Sequence, residues 1–267
     1  MNRAYIGTSG WNYRGWRGAF YPAHLAAARW LAYYSTRFNS VEVNYSFYRL
    51  PTEQQCRSWY ANTPADFRFA LKAPRYLTHI KRLRDAREDW NVFFSRVYEL
   101  KDKLGPILFQ FPSSFRSNDD NRKSVGVFLS SVRQNGFIPR LAFEFRDNTW
   151  LDNSVLGTLR EHNAAFVISH STRYPVFAAD PTADYAYFRF HGPREMCASS
   201  YSIPDLAPWV ATLKEFRERQ IDVYAYFNND IGCHAPGDAL SLRGLLDADD
   251  QVESTVAEDV CSDRRMK

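Results

Sequence analysis

The stretch Arg140–Trp150, RLAFEFRDNTW, sets the reading of the whole chain. Its first half alternates, with Leu141, Phe143 and Phe145 on one face of an extended strand and Ala142, Glu144 and Arg146 on the other. A carboxylate and a guanidinium two residues apart, on a strand so apolar on its opposite face, cannot both sit unpaired in a dry core. Burying a lone charge costs several kcal/mol or more. The pair therefore lines a polar cavity or belongs to an ion-pair network, and the other strands decide what else reaches the same place.

On either side of this stretch, strand and helix signals alternate with no Gly/Ser/Pro-rich linker and no internal repeat. Strands are predicted at Ala4–Thr8, Ser40–Asn44, Phe67–Lys72 and Ile107–Phe111, then at the opening stretch, then at Ala165–Ser169, Tyr185–His191 and Asp222–Asn228. Helices are predicted near residues 24–34, from 51–53 onward, and near 89–103, 121–134, 150–162, 204–219 and 236–246. Eight such units in this length are what a (β/α)8 TIM-type barrel requires. The rival, a doubly wound open sheet, usually carries GxGxxG after its first strand, and GTSGW lacks that spacing. The expectation is an α/β barrel domain over 1–246, irregular between strands six and seven, where 171–184 shows no clear helix. From Asp247 the segment DADDQVESTVAEDVCSDRRMK is acidic and without aromatics, and reads as a disordered tail.

Composition bounds the function. Apolar residues make up 45% and charged residues 24%, as in ordinary soluble proteins, and no apolar run is long enough to span a membrane. The four cysteines form no CxxC pair, and the N-terminus enters AYIGTSG with no signal-peptide pattern, so a reduced, cytoplasmic setting is expected. Net charge is +4, with the basic surplus in the body ahead of the acidic tail, which favours an anionic partner.

Alternation in the other strands places Glu42 and Asn44, Lys72, Gln110, Arg189 and His191, and Asn228 with Asp230 just beyond it, on the faces opposite the apolar ones. Nearly all lie late in their strands, at the C-terminal face where barrel enzymes carry their chemistry. With Glu144 and Arg146 they form one polar constellation. The competing structural reading is that these charges satisfy one another as a network closing the barrel top, and that His191 only hydrogen-bonds its neighbours.

The motifs GTSGWNYRGW (7–16), VEVNYSFYRLP (41–51), FALKAPRYLTH (69–79), GPILFQFP (105–112), LAFEFRDNTW (141–150), YFRFHG (187–192) and YFNND (226–230) resemble, in order, those of the YecE-like family, domain of unknown function 72. The resemblance covers about residues 4–246. It implies a TIM-barrel-like fold distantly similar to sugar isomerases, and it brings no established reaction. It adds His79 and Asn229 to the motif positions. The chain departs from the family pattern after strand six, where Ser169-His170-Ser171 stand in place of an acidic residue and Ser, so no role resting on that acid is carried over.

Two functions follow as expectations. In the first, an enzyme acts on a small polar or anionic, sugar-like or sugar-phosphate-like substrate. Glu42 and Glu144 serve as acid/base carboxylates, Lys72 as a carbonyl-polarising, anion-orienting or Schiff-base amine and His191 as a proton shuttle. Asn44, Gln110, Arg146, Arg189, Asn228, Asn229 and Asp230 bind substrate, the arginines by bidentate contact with an anion. No cofactor is expected. A variant holds a divalent metal on Glu42, Glu144, His191 and Asp230, against the repulsion of the nearby Lys72, Arg146 and Arg189. In the second, Arg14 and Arg17 of loop one and Arg75, Tyr76, Lys81 and Arg82 of loop three bind nucleic acid, since basic groups beside aromatics suit single strands. Against it stands the reading that Trp11 and Trp16 pack under their loop as core and that the arginines only solvate it.

Overall fold

In a computed structural model of the chain, residues 3–132, 137–174 and 180–263 are described, with side chains as far as Ala248. Every paired strand is parallel. One sheet has the order β2 (Ser40–Val43), β3 (Arg68–Lys72), β4 (Leu104–Gln110), β5 (Leu141–Glu144) and β6 (Ala165–Phe166). The other has the order β1 (Ala4–Thr8), β9 (Asp222–Phe227), β8 (Tyr185–Phe190) and β7 (Ile168–His170). Segments β6 and β7 are the two halves of the predicted sixth strand. Val167 separates them, its N–H donating to Phe143 O at 2.9 Å while the chain crosses from one sheet to the other. The result is an eight-stranded (β/α)8 barrel.

The second seam, between β1 and β2, is stitched by side chains. Tyr34 Oη accepts from Thr8 N at 2.9 Å and donates to Ser40 O at 3.1 Å. The Asn39 amide pairs with Ile6 N at 3.0 Å and Ala4 O at 2.8 Å. Gly7 permits the approach, since a Cβ there would lie 2.0 Å from Ser40 O.

Apolar burial follows the alternation. The outward faces (Val41 and Val43, Phe69 and Leu71, Phe109, Phe143, Phe188, Val223 and Ala225) join the large shell beneath the helices. Tyr5, Ala70, Leu108, Ala142, Tyr185, Tyr187, Tyr224 and Tyr226 form a separate interior cluster. Four of these are tyrosines from β8 and β9. Their hydroxyls need partners when buried, and Tyr185 and Tyr226 find them at Leu141 O and Ser40 Oγ, which gives the barrel a polar lining throughout.

The helices are α1 (Trp30–Tyr34), α2 (Tyr45–Tyr48), α3 (Glu53–Ala61), α4 (Arg87–Val97), α5 (Asp119–Ser131), α6 (Asn153–Glu161), α7 (Ile203–Glu218) and α8 (His234–Asp263). Local chemistry sets several starts, through capping boxes at Thr52/Gln55 and Ser202/Asp205 and side-chain caps at Asn118 and Asp152. Asp147 caps the short 3-10 turn Asn148–Trp150 that precedes α6. The helix expected at 89–103 is broken after Val97 into a 3-10 turn in which Lys101 has φ 49°. Between β7 and β8 the described residues form no helix; Thr182 ties the link to β6 by hydrogen bonds to Phe166 N and Ala164 O. The backbone of α8 continues to Asp263, through the segment where a disordered tail was expected. That segment contains no glycine or proline, so no residue in it breaks a helical path. No helix among the described residues is long and apolar enough to cross a membrane.

Candidate functional site

Arg189, projecting inward from β8 and buried, organises the C-terminal end of the barrel. Its Nε and Nη2 donate to Glu42 Oε2 and Oε1 of β2 at 2.9 and 2.8 Å, a bidentate pair. Its Nη1 donates to Glu144 Oε2 of β5 at 2.6 Å. Both carboxylates are buried and face the same guanidinium. Glu42 is further held by Ser9 Oγ at 2.7 Å and Tyr187 Oη at 2.7 Å. Burial opposes its ionisation, but Arg189 and these hydrogen bonds outweigh burial and hold its pKa below the ordinary carboxylate range. Glu144 is likewise held well below it: burial is overcome by Arg189, then by the nearby His191 and Arg146.

His191 is buried beside this pair, its Nε2 3.7 Å from Glu144 Oε1. Asn228 Nδ2 lies 3.0 Å from His191 Nδ1, and Asn44 Nδ2 donates to Asn228 Oδ1 at 3.5 Å. Arg189 Nη1 lies 3.4 Å from His191 Nε2, so that nitrogen faces both a carboxylate and a guanidinium. Burial lowers the His191 pKa, so the neutral ring is favoured.

Above this layer the charge is positive. Lys72, half-buried at the end of β3, makes no hydrogen bond or ion pair among the described residues, and its Nζ stands 4.4 Å from the Phe47 ring centroid. Burial, and then the Arg189 charge, lower its pKa to about 8. Arg146 reaches Glu144 Oε1 at only 3.5 Å and lies over the Tyr174 ring at 4.2 Å. His79 is pushed down to about 4 by burial, then by Lys72, Arg75 and Arg146. These cations share one mouth.

The constellation read from alternation is thus largely brought together: Glu42, Lys72, Glu144, Arg146, Arg189, His191, Asn44 and Asn228. Gln110 also faces inward, buried, its amide donating to Phe111 O at 3.0 Å. Two residues are placed differently. Asn229 turns away from the mouth, its Nδ2 donating to Asp238 Oδ2 at 2.6 Å and Ser199 O at 2.9 Å, because alternation puts neighbouring residues 228 and 229 on opposite faces. Asp230 lies past the strand end, half-buried in the fields of Tyr13 and Cys197, its carboxyl pushed up by burial.

The four-residue metal set is not assembled. Arg189 occupies the position between Glu42 and Glu144, Asp230 lies apart, and no group of three or more metal-ligating side chains is placed to hold an ion among the described residues. Of the basic loop residues, Arg14, Arg17, Arg75 and Tyr76 are exposed. Lys81 is committed to Asp89 at 2.6 Å, and Arg82 to Ser114 at 3.2 Å. Trp16 is buried as core and Trp11 packs edge-on against Trp59, centroids 5.5 Å apart. Ser9 was missed because the first strand was read as ending at Thr8, although Tyr5, Gly7 and Ser9 share one alternating phase.

A family model described as "Protein of unknown function DUF72" matches residues 5–260. The chain belongs to this family. The match includes most of the acidic segment that the sequence motifs left out. UPF0759 protein YunF of Bacillus subtilis (strain 168) is 27% identical over 273 residues, spanning 91% of this chain and 94% of that protein. UPF0759 protein YecE of Escherichia coli (strain K12) is 31% identical over 111 residues, spanning 42% of this chain and 38% of that protein. The crystal structure of a DUF72 family protein from Thermotoga maritima MSB8 superposes with a TM-score of 0.81 at 29% identity, covering 92% of this chain and 99% of that one. D-psicose 3-epimerase shares the fold alone, with a TM-score of 0.55 at 9% identity over 92% of this chain and 98% of that one.

Proposed function

We propose that the barrel mouth binds a small anionic substrate on Lys72 and Arg146, and that Lys72, rather than either glutamate, is the group that exchanges a proton or attacks a carbonyl. The observation carrying this is the unpaired Lys72 amine. It is half-buried, has no carboxylate within ion-pair distance among the described residues, and is pushed to about 8, so a sizeable neutral fraction exists near physiological pH. Glu42 and Glu144, expected as the acid/base pair, suit that task poorly. Carboxylates held below the usual range on a buried guanidinium are weak bases and are not protonated acids at neutral pH. They fix Arg189 and outweigh its charge by one, forming a floor of net charge −1 under Lys72 and Arg146. The surplus positive charge above that floor is what an incoming phosphate or carboxylate would neutralise.

Calorimetric titration with inorganic phosphate and with citrate tests the reading. Wild-type protein is expected to bind at least one of them, and Lys72→Met and Arg146→Met each to weaken binding by about tenfold or more, as the loss of a charge-assisted contact implies. Unchanged affinity in both variants would overturn it. A second reading, polyanion binding, is favoured by exposed Arg75 and Tyr76 beside a cavity of about 310 Å3 that they share with Tyr48 and Arg49. It calls for oligonucleotide affinity that falls steeply with salt, and no binding at low salt removes it.

A further inference from the structure

A second recess opens beside the mouth, between the loops that follow β1 and β2. Its volume is about 440 Å3, within the range of small-molecule sites, and its walls include Trp11, Tyr13, Asn44, Tyr45, Tyr48 and Trp59. Tyr48 is 82% exposed and Tyr45 41%, so two large rings are held out at the rim of the recess. At its inner end the Asn44 amide is half-used. Nδ2 donates to Ser9 O at 3.3 Å and Asn228 Oδ1 at 3.5 Å, while Oδ1 is buried with no hydrogen-bond partner. A buried acceptor left without a donor costs free energy, which a ligand hydroxyl would recover once the Asn44 amide turns toward the recess.

We infer that this recess is a subsite for the sugar ring of an anionic sugar whose charged group sits on Lys72 and Arg146. The inference rests on the anion-binding reading of the mouth for the position of that charged group. Short helix α2 joins the two places. Its Phe47 ring faces Lys72, and Tyr45 and Tyr48 on the same turn face the recess. On the other side, Asn44 continues through Asn228 to His191 and the floor of the barrel. A sugar offers apolar C–H faces to aromatic rings and hydroxyls to polar groups, matching a wall that combines Trp11, Trp59 and Tyr48 with the amide of Asn44. Trp11 and Trp59 meet edge to face at 89°, so these two rings do not form a parallel pair of the kind that sandwiches a flat base.

The test uses the full chain with five probes: inorganic phosphate, D-glucose, D-glucose 6-phosphate, D-ribose 5-phosphate and adenosine 5′-monophosphate. One of the two sugar phosphates is expected to bind about tenfold or more tightly than inorganic phosphate. Tyr48→Ala is expected to bring that affinity down to the level of inorganic phosphate without changing phosphate affinity itself, and Asn44→Leu to lower the sugar-phosphate affinity at least as much. Lys72→Met weakens both. Tyr48 is exposed enough that its variant tests the recess even if Asn44→Leu fails to fold. Failure of phosphate to bind, with D-glucose binding that Tyr48→Ala abolishes, would sink the anion reading and keep the ring subsite. Neither sugar phosphate binding better than phosphate, with no D-glucose binding, would overturn the subsite. Adenosine monophosphate binding more tightly than ribose 5-phosphate would overturn its assignment to a sugar.

Discussion

Arg189 is the residue on which the interior depends, and its energetics are asymmetric. A buried ion triad is weak evidence for net stability, but removing its middle member is costly because two carboxylates remain in a dry site. Arg189→Met is therefore expected to lower unfolding free energy by about 3–5 kcal/mol. Adding Glu42→Gln and Glu144→Gln is expected to recover a substantial part, since no unpaired charge is then left. Urea melts of the single and triple variants check this, and a single-variant loss under about 1 kcal/mol would mean that the carboxylates find other partners. At this scale the sequence was informative about direction and silent about partnership. Alternation turned Glu42, Glu144 and Arg189 inward, but nothing local says that Glu42 meets a residue 147 positions away. That distance also explains why acid/base groups and members of an ion-pair network are equally good readings of Glu42 and Glu144 in the sequence: the guanidinium that holds both lies on another strand. Asn229 comes into the set through its motif position alone; alternation continues through Asn228 and sends the next residue out of the barrel, where Asp238 holds it.

At the scale of elements, the two seams show what sequence patterns cannot encode. Strand positions were legible because each outward face is continuously apolar, and the eight-unit count followed from them. The closure between β1 and β2 was not, because it is made by side chains of Tyr34 and Asn39 lying outside both strands. The split of strand six at Val167 was equally hidden, since AFVIS reads as one apolar run. The β1–β2 seam has a direct consequence. Gly7→Ala drives a methyl group into the Ser40 carbonyl, where backbone and not a yielding side chain stands in the way. A cost of about 1–3 kcal/mol is expected from overpacking. Tyr34→Phe leaves the Thr8 N–H without its bridging hydroxyl and is expected to cost about 1–3 kcal/mol. Hydrogen exchange at Thr8 and Ile6 distinguishes a local opening of the seam from a global loss. Protection at these amides that stays unchanged in both variants would show that the seam does not depend on them.

For the whole molecule, the polar barrel implies a stability profile tilted toward neutral and higher pH. Two sets of groups act in the same direction at different pH. The histidines at the mouth have folded pKa values lowered by burial, His79 to about 4, against an ordinary value near 6.5. Between these values the unfolded chain binds more protons than the folded one, so stability falls as pH drops from about 6.5 toward 4. Glu42 and Glu144 have folded values depressed below the ordinary 4.5. Their contribution is complete above the unfolded value and is lost as pH falls through the folded values, when Arg189 keeps its charge and loses its counterions. Urea midpoints should accordingly decline gently from about pH 6.5 and steeply below about pH 4.5. The half-buried His79 separates the two, because among the described residues it touches neither glutamate and bonds only Thr78 Oγ1, at 2.9 Å. His79→Gln is expected to flatten the upper slope and leave the acid limb in place. If His79→Gln changes neither limb, the upper slope belongs to the buried His191, and a Glu144→Gln variant with a shallower acid limb would still place the lower one on the Arg189 network.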